Sequence, residues 1–258
     1  MRLCVLGAGG KMGRMVLELA ADRAGVEIAS ALDADGAPAV GTEVSPGVMA
    51  TSDLVAGLRA ADVYIDFTVP AATVAAANAA AKLGVSAVIG TTGLTDSDRA
   101  AIDALATRSP VVFAPNFSLG VNVLFNLAEI AARALGADFD LEVVEMHHKH
   151  KRDAPSGTAI ALAEALARGR GQNLSDVARY QRAGDVGPRP DGEIGVFAVR
   201  GGAIPGEHTA FLIGDSERIE ITHRAASREI FAAGALTAAT WVHGKPAGLY
   251  GMKDVLGL

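Results

Sequence analysis

Between Arg2 and Ala114, short apolar runs alternate with alanine-rich amphipathic segments, and this alternation limits the fold more than any other feature of the chain. Arg2 to Leu6, Glu27 to Leu32, Val63 to Phe67, Ser86 to Gly90 and Val111 to Ala114 read as strands. They are short, largely apolar and bounded by turn residues, as buried parallel strands are. Lys11 to Asp22, Ala71 to Leu83 and Thr95 to Thr107 read as helices between them. Pro70 suits a first helical position, where its missing N–H costs nothing. The pattern predicts an α/β fold with a Rossmann-like doubly wound parallel sheet and right-handed crossovers. Half of the residues are hydrophobic but only 5% are aromatic, so alanine and glycine carry the packing, which suits close helix-on-sheet layers.

The rhythm changes after Asn116. A long helix from about Ser118 to Leu135 leads to a strand from Phe139 to Met146, a basic run, and a helix from Ser156 to about Arg168. Gly169 to Glu193, rich in Gly, Pro, Arg and Asp, reads as an exposed loop. Strands return at Ile194 to Arg200, His208 to Ile213 and Arg218 to His223, and a last helix runs from about Ser227 to Trp241. This is the pattern of a second α+β domain with an open sheet, one face of which is left for another copy of the chain.

Several function classes recede at this point. Apolar stretches are expected to break before the roughly 20 residues a membrane span needs. The start, Met1 to Leu6, passes straight into a glycine turn without the long apolar run of a signal peptide. The single cysteine, Cys4, excludes an internal disulfide and fits a reducing cytoplasm. A net charge of -6 argues against a nucleic-acid partner.

Gly7-Ala8-Gly9-Gly10-Lys11-Met12-Gly13 follows the first strand and opens the first helix, where a dinucleotide pyrophosphate meets backbone N–H groups and the positive helix end. Gly13 falls one residue late for the usual G-x-G-x-x-G, but Asp33 closes the second strand 20 residues beyond it, placed to accept hydrogen bonds from a ribose. A structural glycine turn with a solvated aspartate is the plainer alternative. Asp33 repels a 2′-phosphate and Ala34 offers no cation for one, so the expected cofactor is NADH at least as readily as NADPH. Gly90-Thr91-Thr92-Gly93 and Ala114-Pro115-Asn116-Phe117 end further strands on the same sheet edge, where ligands of open α/β sheets bind; alone they also read as ordinary turns.

An isolated basic block, His147-His148-Lys149-His150-Lys151-Arg152, precedes Asp153-Ala154-Pro155-Ser156-Gly157-Thr158. A solvated basic loop is one reading. A metal site is disfavoured because the adjacent Lys and Arg repel a cation. An anion site is the third: Ser156 is a good N-cap, Gly157 and Thr158 open a helix, and their N–H groups suit a carboxylate. With the cations upstream, this suits a small dicarboxylate, and a histidine among them suits proton donation.

Along essentially its whole length the sequence resembles the 4-hydroxy-tetrahydrodipicolinate (dihydrodipicolinate) reductase family. The resemblance rests on Gly7 to Gly13, Asp66-Phe67-Thr68, Gly90 to Gly93, Asn116-Phe117-Ser118, Gly120-Val121-Asn122 and above all the block Glu145 to Ala159. Gly206-Glu207-His208-Thr209, Glu220 to Arg224 and Gly248 to Leu256 extend it. It implies hydride transfer from NADH or NADPH to a cyclic imine dicarboxylate, with no metal, in diaminopimelate and lysine biosynthesis. His147 matches the proton donor, and Lys151 a proton donor and substrate contact. His148, Gly157 and Thr158 match substrate contacts. Gly7, Ala8, Gly9, Gly10, Lys11, Met12, Asp33, Gly90, Thr91, Thr92, Ala114, Pro115, Asn116 and Phe117 match cofactor contacts. A discontinuous dinucleotide domain, residues 1–117 with 229–258, is implied, as are a substrate and oligomerisation domain at 118–228 and a homotetramer. Ala34 departs from relatives with an arginine there, and Pro115 from those with alanine. A dehydrogenase for another small anion and a non-catalytic NAD(P)H sensor are the alternatives; an intact proton-donor and carboxylate-binding set argues against both.

Overall fold

The computed structural model describes residues 1–258. In chain order its elements are β1 (Arg2–Leu6), α1 (Lys11–Ala21), β2 (Glu27–Leu32), β3 (Glu43–Ser45), β4 (Val48–Thr51), α2 (Leu54–Arg59), β5 (Val63–Asp66), α3 (Pro70–Leu83), β6 (Ser86–Ile89), α4 (Asp96–Ala106) and β7 (Pro110–Phe113). Then follow α5 (Leu119–Leu135), β8 (Asp140–His147), α6 (Gly157–Gly169), α7 (Leu174–Val177), β9 (Ala178–Arg179), β10 (Ile194–Arg200), β11 (Glu207–Ile213), β12 (Arg218–Arg224), α8 (Glu229–Val242), β13 (Gly248–Tyr250) and α9 (Met252–Leu256). The chain divides into two compact units: Met1–Leu119 with Glu229–Leu258, and Gly120–Arg228.

In the first unit eight strands form one sheet, in the order β13-β7-β6-β5-β1-β2-β4-β3. All its pairings are parallel except β3 with β4. Strand alternation sends Leu3 and Val5 to one face, against Val16 and Leu17 of α1 and Ala235 and Leu236 of α8. Cys4 and Leu6 go to the other, against Leu58 of α2, Ala76 and Ala80 of α3, and Ile102 and Leu105 of α4. With both faces covered, the strands lose any polar side, which is why they read as continuous apolar runs. Burial pushes the Cys4 thiol up to about 12, so it is inert. Pro70 stands in the first turn of α3, and Thr95 and Asp98 form a capping box at the start of α4.

β3, β4 and α2 escape the sequence reading. The two strands form a small hairpin about Pro46 and Gly47, the latter at φ 74 and donating its N–H to Glu43 Oε1. Strands of three and four residues are too short to display a period.

In the second unit a five-stranded sheet runs β12-β11-β8-β10-β9. Central β8 is antiparallel to β11 and parallel to β10, so the sheet is mixed. Leu141, Val143, Ile194, Val196, Ala210 and Leu212 pack one face on α5 and α6. The register puts Val144, Met146, Phe197, Val199 and Phe211 on the opposite face, where Val199 is 46% exposed. The segment expected as an exposed loop, Gly169 to Glu193, is largely exposed but contains α7 and β9. Arg182 and Arg189 fix it to the sheet through Glu142, Glu193 and Asp140.

The apolar stretches are broken by charge as expected, yet one helix meets the length and composition of a membrane span. Leu119–Asp138 reaches the length and mean hydropathy of one, with 22% of the window buried. Glu129 and Arg133 break its apolar run and pair one turn apart at 2.9 Å. Leu124, Ala128 and Ala132 of this helix belong to the second unit's core, and Glu129 also meets Arg168 of α6.

Candidate functional site

In the second unit the chemistry gathers at the end of β8. Strand alternation turns Glu145 and His147 toward the covered face, the first fully buried and the second 9% exposed. Glu145 Oε2 lies 2.6 Å from His147 Nδ1, and Ser156 N–H donates to Glu145 Oε1 at 2.9 Å. Arg200, the last residue of β10, donates to both carboxylate oxygens at 2.7 Å and to Asp153 O at 2.7 Å. Burial alone would raise the Glu145 pKa, but Arg200, His147 and the Ser156 N–H outweigh it and hold the carboxyl below its ordinary range. His208 of β11 stacks edge-on against His147, centroids 5.2 Å apart, with Nε2 3.1 Å from Ser156 Oγ. Burial first, and then the neighbouring His147, lower the His208 pKa to about 4, so it is neutral at physiological pH.

Ser156 caps α6, its hydroxyl accepting from Ala159 N–H at 3.1 Å. Gly157 and Thr158 therefore form the first helical positions, and a Cβ on Gly157 would meet nothing within 4 Å. Upstream, Lys151 Nζ pairs with Asp153 Oδ2 at 2.9 Å. His148 Nε2 lies 3.4 Å from an Arg228 amine; burial first, then Arg228, lower its pKa. Lys149, His150 and Arg152 are exposed. A Cβ at Gly206 would stand 3.0 Å from His147 Nε2, so glycine keeps that nitrogen clear. The outcome is an imidazole tied through Glu145 to a helix N-terminus, with Arg200, Lys151 and Arg228 nearby.

In the first unit, Leu6, Leu32, Asp66, Ile89 and Phe113 are aligned across neighbouring parallel strands. The turns at Gly7, Asp33, Phe67, Gly90 and Ala114 thus all leave the same carboxyl edge. The order reverses at β1, which gives the crevice where such sheets bind ligands. Gly7 has φ +71, and a Cβ on Gly13 would lie 2.0 Å from Gly7 O, so both glycines are required by the turn. Gly10 caps α1 without a side chain, which leaves the first-turn N–H groups of Lys11, Met12 and Gly13 facing outward. A cavity of about 720 Å³ lies there, lined by Gly7, Gly10, Lys11, Met12, Asp33 and Ala34 among others. These features fit a dinucleotide.

The other expected contacts are arranged differently. Ala8 and Gly9 line a neighbouring cavity of about 330 Å³. The Gly9 N–H donates to Asp33 Oδ2 at 2.7 Å. Thr91 is 2% exposed, its hydroxyl 2.8 Å from Thr73 Oγ1 and 3.3 Å from buried Asp66, so it offers a ligand backbone rather than side chain. Thr92 and Pro115 are exposed, whereas Ala114 is buried. Asn116 Oδ1 accepts from Ser118 N–H at 2.8 Å. Phe117 is 1% exposed and packs edge-on against Phe67 at 5.6 Å.

Residues 1–117 match the family model described as dihydrodipicolinate reductase, N-terminus, and residues 120–256 the one described as dihydrodipicolinate reductase, C-terminus. Over its whole length the chain is 48% identical to a 4-hydroxy-tetrahydrodipicolinate reductase of Acinetobacter baumannii, covering 96% of that protein. It is 47% identical to one of Anaeromyxobacter dehalogenans, covering 98% of it. The chain belongs to the dihydrodipicolinate reductase family. Among solved structures, the dipicolinate-bound dihydrodipicolinate reductase from Paenisporosarcina sp. TG-14 superposes with a TM-score of 0.81, at 26% identity and 98% coverage of both chains. As a dihydrodipicolinate reductase family member the chain is an NAD(P)H-dependent oxidoreductase with a small-molecule substrate.

Four residues around the family's basic block escaped the sequence reading of roles. Glu145 was seen only as part of a matching segment, and Arg200 and Arg228 not at all. His208 likewise stands only within a matching segment, and its neighbour Glu207 pairs with Arg224 at 3.1 Å. The available signal was Glu145-Met146-His147, a carboxylate two residues from a histidine on one strand face.

Proposed function

We infer that this protein reduces 4-hydroxy-tetrahydrodipicolinate, through its dehydrated form, to tetrahydrodipicolinate in the diaminopimelate route to lysine. The observation that carries this is the joining of His147, on its Glu145–Arg200 support, to the capped N-terminus of α6. Bound NAD(P)H supplies the hydride. His147 gives the accompanying proton from Nε2, the nitrogen that Gly206 leaves clear. Gly157 and Thr158 receive one substrate carboxylate on their N–H groups, while His148 and Lys151 meet the other end. Lys151 is a second proton source. Arg228 adds positive charge beside His148.

Residues 1–117 with 229–258 serve as the dinucleotide domain, and 118–228 as the substrate and oligomerisation domain. Gly7, Ala8, Gly9, Gly10, Lys11 and Met12 would hold the pyrophosphate, Asp33 the ribose, and Gly90, Thr91, Thr92 and Ala114 to Phe117 the nicotinamide half. Ala34 lies between Asp33 and Asp35 on the cavity wall, which disfavours a 2′-phosphate and supports use of NADH at least as well as NADPH. The open face of the second sheet supports a homotetramer, and the lone reduced cysteine a cytoplasmic enzyme. The Lys and Arg beside the histidines repel a metal ion, and the reading is of metal-independent chemistry.

The test supplies the substrate from pyruvate and aspartate semialdehyde through the preceding synthase and follows the loss of NADH or NADPH absorbance. Oxidation that requires both precursors is expected. Tight cofactor binding with no oxidation would leave a sensor, and faster turnover with NADPH alone would overturn the cofactor assignment.

A further inference from the structure

Glu145 has no contact with solvent, yet four hydrogen-bonding groups converge on its two oxygens. Oε2 meets His147 Nδ1 at 2.6 Å and one Arg200 amine at 2.7 Å. Oε1 accepts from the other Arg200 amine at 2.7 Å and from Ser156 N–H at 2.9 Å. A buried carboxylate receiving this many donors is ionised, and an ionised carboxylate is acceptor-only. Nδ1 of His147 must then carry a proton whether the ring is neutral or charged. The nitrogen left to gain and lose a proton is Nε2, beside Gly206.

The same carboxylate also holds Ser156, the N-cap of α6. Arg200 extends the lock to Asp153 O, so the loop between β8 and α6 is held at two points of its α6 end, Asp153 and Ser156. One side chain therefore fixes the azimuth of the imidazole and its distance from the helix end. Proton donor and carboxylate site need that relation held to within about an ångström for efficient transfer.

We propose that Glu145, clamped by Arg200, is a positioning residue for the reduction, holding His147 with Nδ1 protonated and Nε2 as the working nitrogen, in register with the N-terminus of α6. This rests on the assignment of His147 as proton donor. Other charged or titratable groups facing His147 are His148 on its own strand end, Lys151 in the following loop, Arg200 through Glu145 on β10, and His208 on β11 with His223 of β12 behind it. None of them touches Nδ1, whose partner is Glu145.

The test compares Glu145→Gln, His147→Gln and the double variant in the full chain, with kcat followed against pH and cofactor affinity measured by nicotinamide fluorescence. Glu145→Gln is expected to lower kcat on the order of 10-fold or more while leaving cofactor affinity unchanged. Its kcat–pH profile differs from that of the wild type, because the proton donor has lost the carboxylate that holds it. Added to His147→Gln it has almost no further effect on kcat, since the two act as a unit. A wild-type rate and pH profile for Glu145→Gln overturns the proposal, and so does a full, additive loss in the His147→Gln background. Wild-type turnover by His147→Gln alone would instead remove the proton-donor assignment. Independently of any variant's folding, ¹⁵N correlation spectra of wild-type protein should show neutral His147 protonated at Nδ1; the Nε2-protonated tautomer would overturn the proposal.

Discussion

Lys151, in the loop after β8, already has a partner in Asp153, and that pair competes with any incoming carboxylate. Asp153 is 61% exposed at its side chain, so the pair contributes only about 0.5–1 kcal/mol. Asp153→Asn should accordingly lower the substrate KM by roughly two- to fivefold with kcat little changed; an unchanged KM in steady-state kinetics would show that Lys151 is not held back. His147→Gln should depress kcat by about 100-fold or more with cofactor affinity unaltered, read from paired turnover and binding measurements. At this scale the sequence displayed residues that advertise themselves by charge or by adjacency: the imidazoles, Lys151, and the Ser156-Gly157-Thr158 cap. It hid those whose meaning depends on strand pairing. Arg200 reaches Glu145 from 55 residues away because β10 runs parallel to β8, and nothing local in Val199-Arg200-Gly201 signals this.

Elements separate the two glycines that open helices. A Cβ on Gly13 would be driven to 2.0 Å from Gly7 O, so Gly13→Ala must displace the backbone that forms the cofactor turn. Loss of NAD(P)H binding and a markedly lower Tm are expected together. Gly157 has open space around it, so Gly157→Ala should leave Tm unchanged or slightly raised, as alanine favours a helix. Its added methyl instead intrudes on the proposed carboxylate site, and the substrate KM should rise roughly 10-fold or more, the scale of a charged hydrogen bond. A KM unchanged by Gly157→Ala in a calorimetrically normal protein would move the carboxylate elsewhere. The helix α5 was legible from its spacing, and β1 from its continuous apolar run. The β3–β4 hairpin and β9 were not, being held by pairing and side-chain hydrogen bonds instead of by pattern.

For the molecule as a whole, the buried site sets a limit on acid stability. His208 has a folded pKa of about 4 against an ordinary 6.5. As pH falls below 6.5 the unfolded chain takes up a proton that the folded one refuses. Stability is therefore full above that value and declines until about pH 4, by roughly 3 kcal/mol. Glu145, held below its ordinary value, adds a loss in the same direction at lower pH, when its folded-state carboxylate finally protonates. Melting curves should show Tm dropping across this window and His208→Asn flattening the upper part of it; a pH-independent Tm would contradict the neutral burial of His208. Dialysis against EDTA should leave turnover unchanged, and light scattering should report a tetramer, a clean monomer being the contrary result. The division into units also dictates an order of manufacture. A ribosome synthesises residues 1–119 first, then all of Gly120–Arg228, and only afterwards α8, which supplies Ala232, Ala235, Leu236, Ala238 and Ala239 to the first unit's core. Until those last residues emerge, one side of the parallel sheet has α1 but lacks α8. A nascent or stalled chain thus carries the glycine turn on a sheet with one face only half covered.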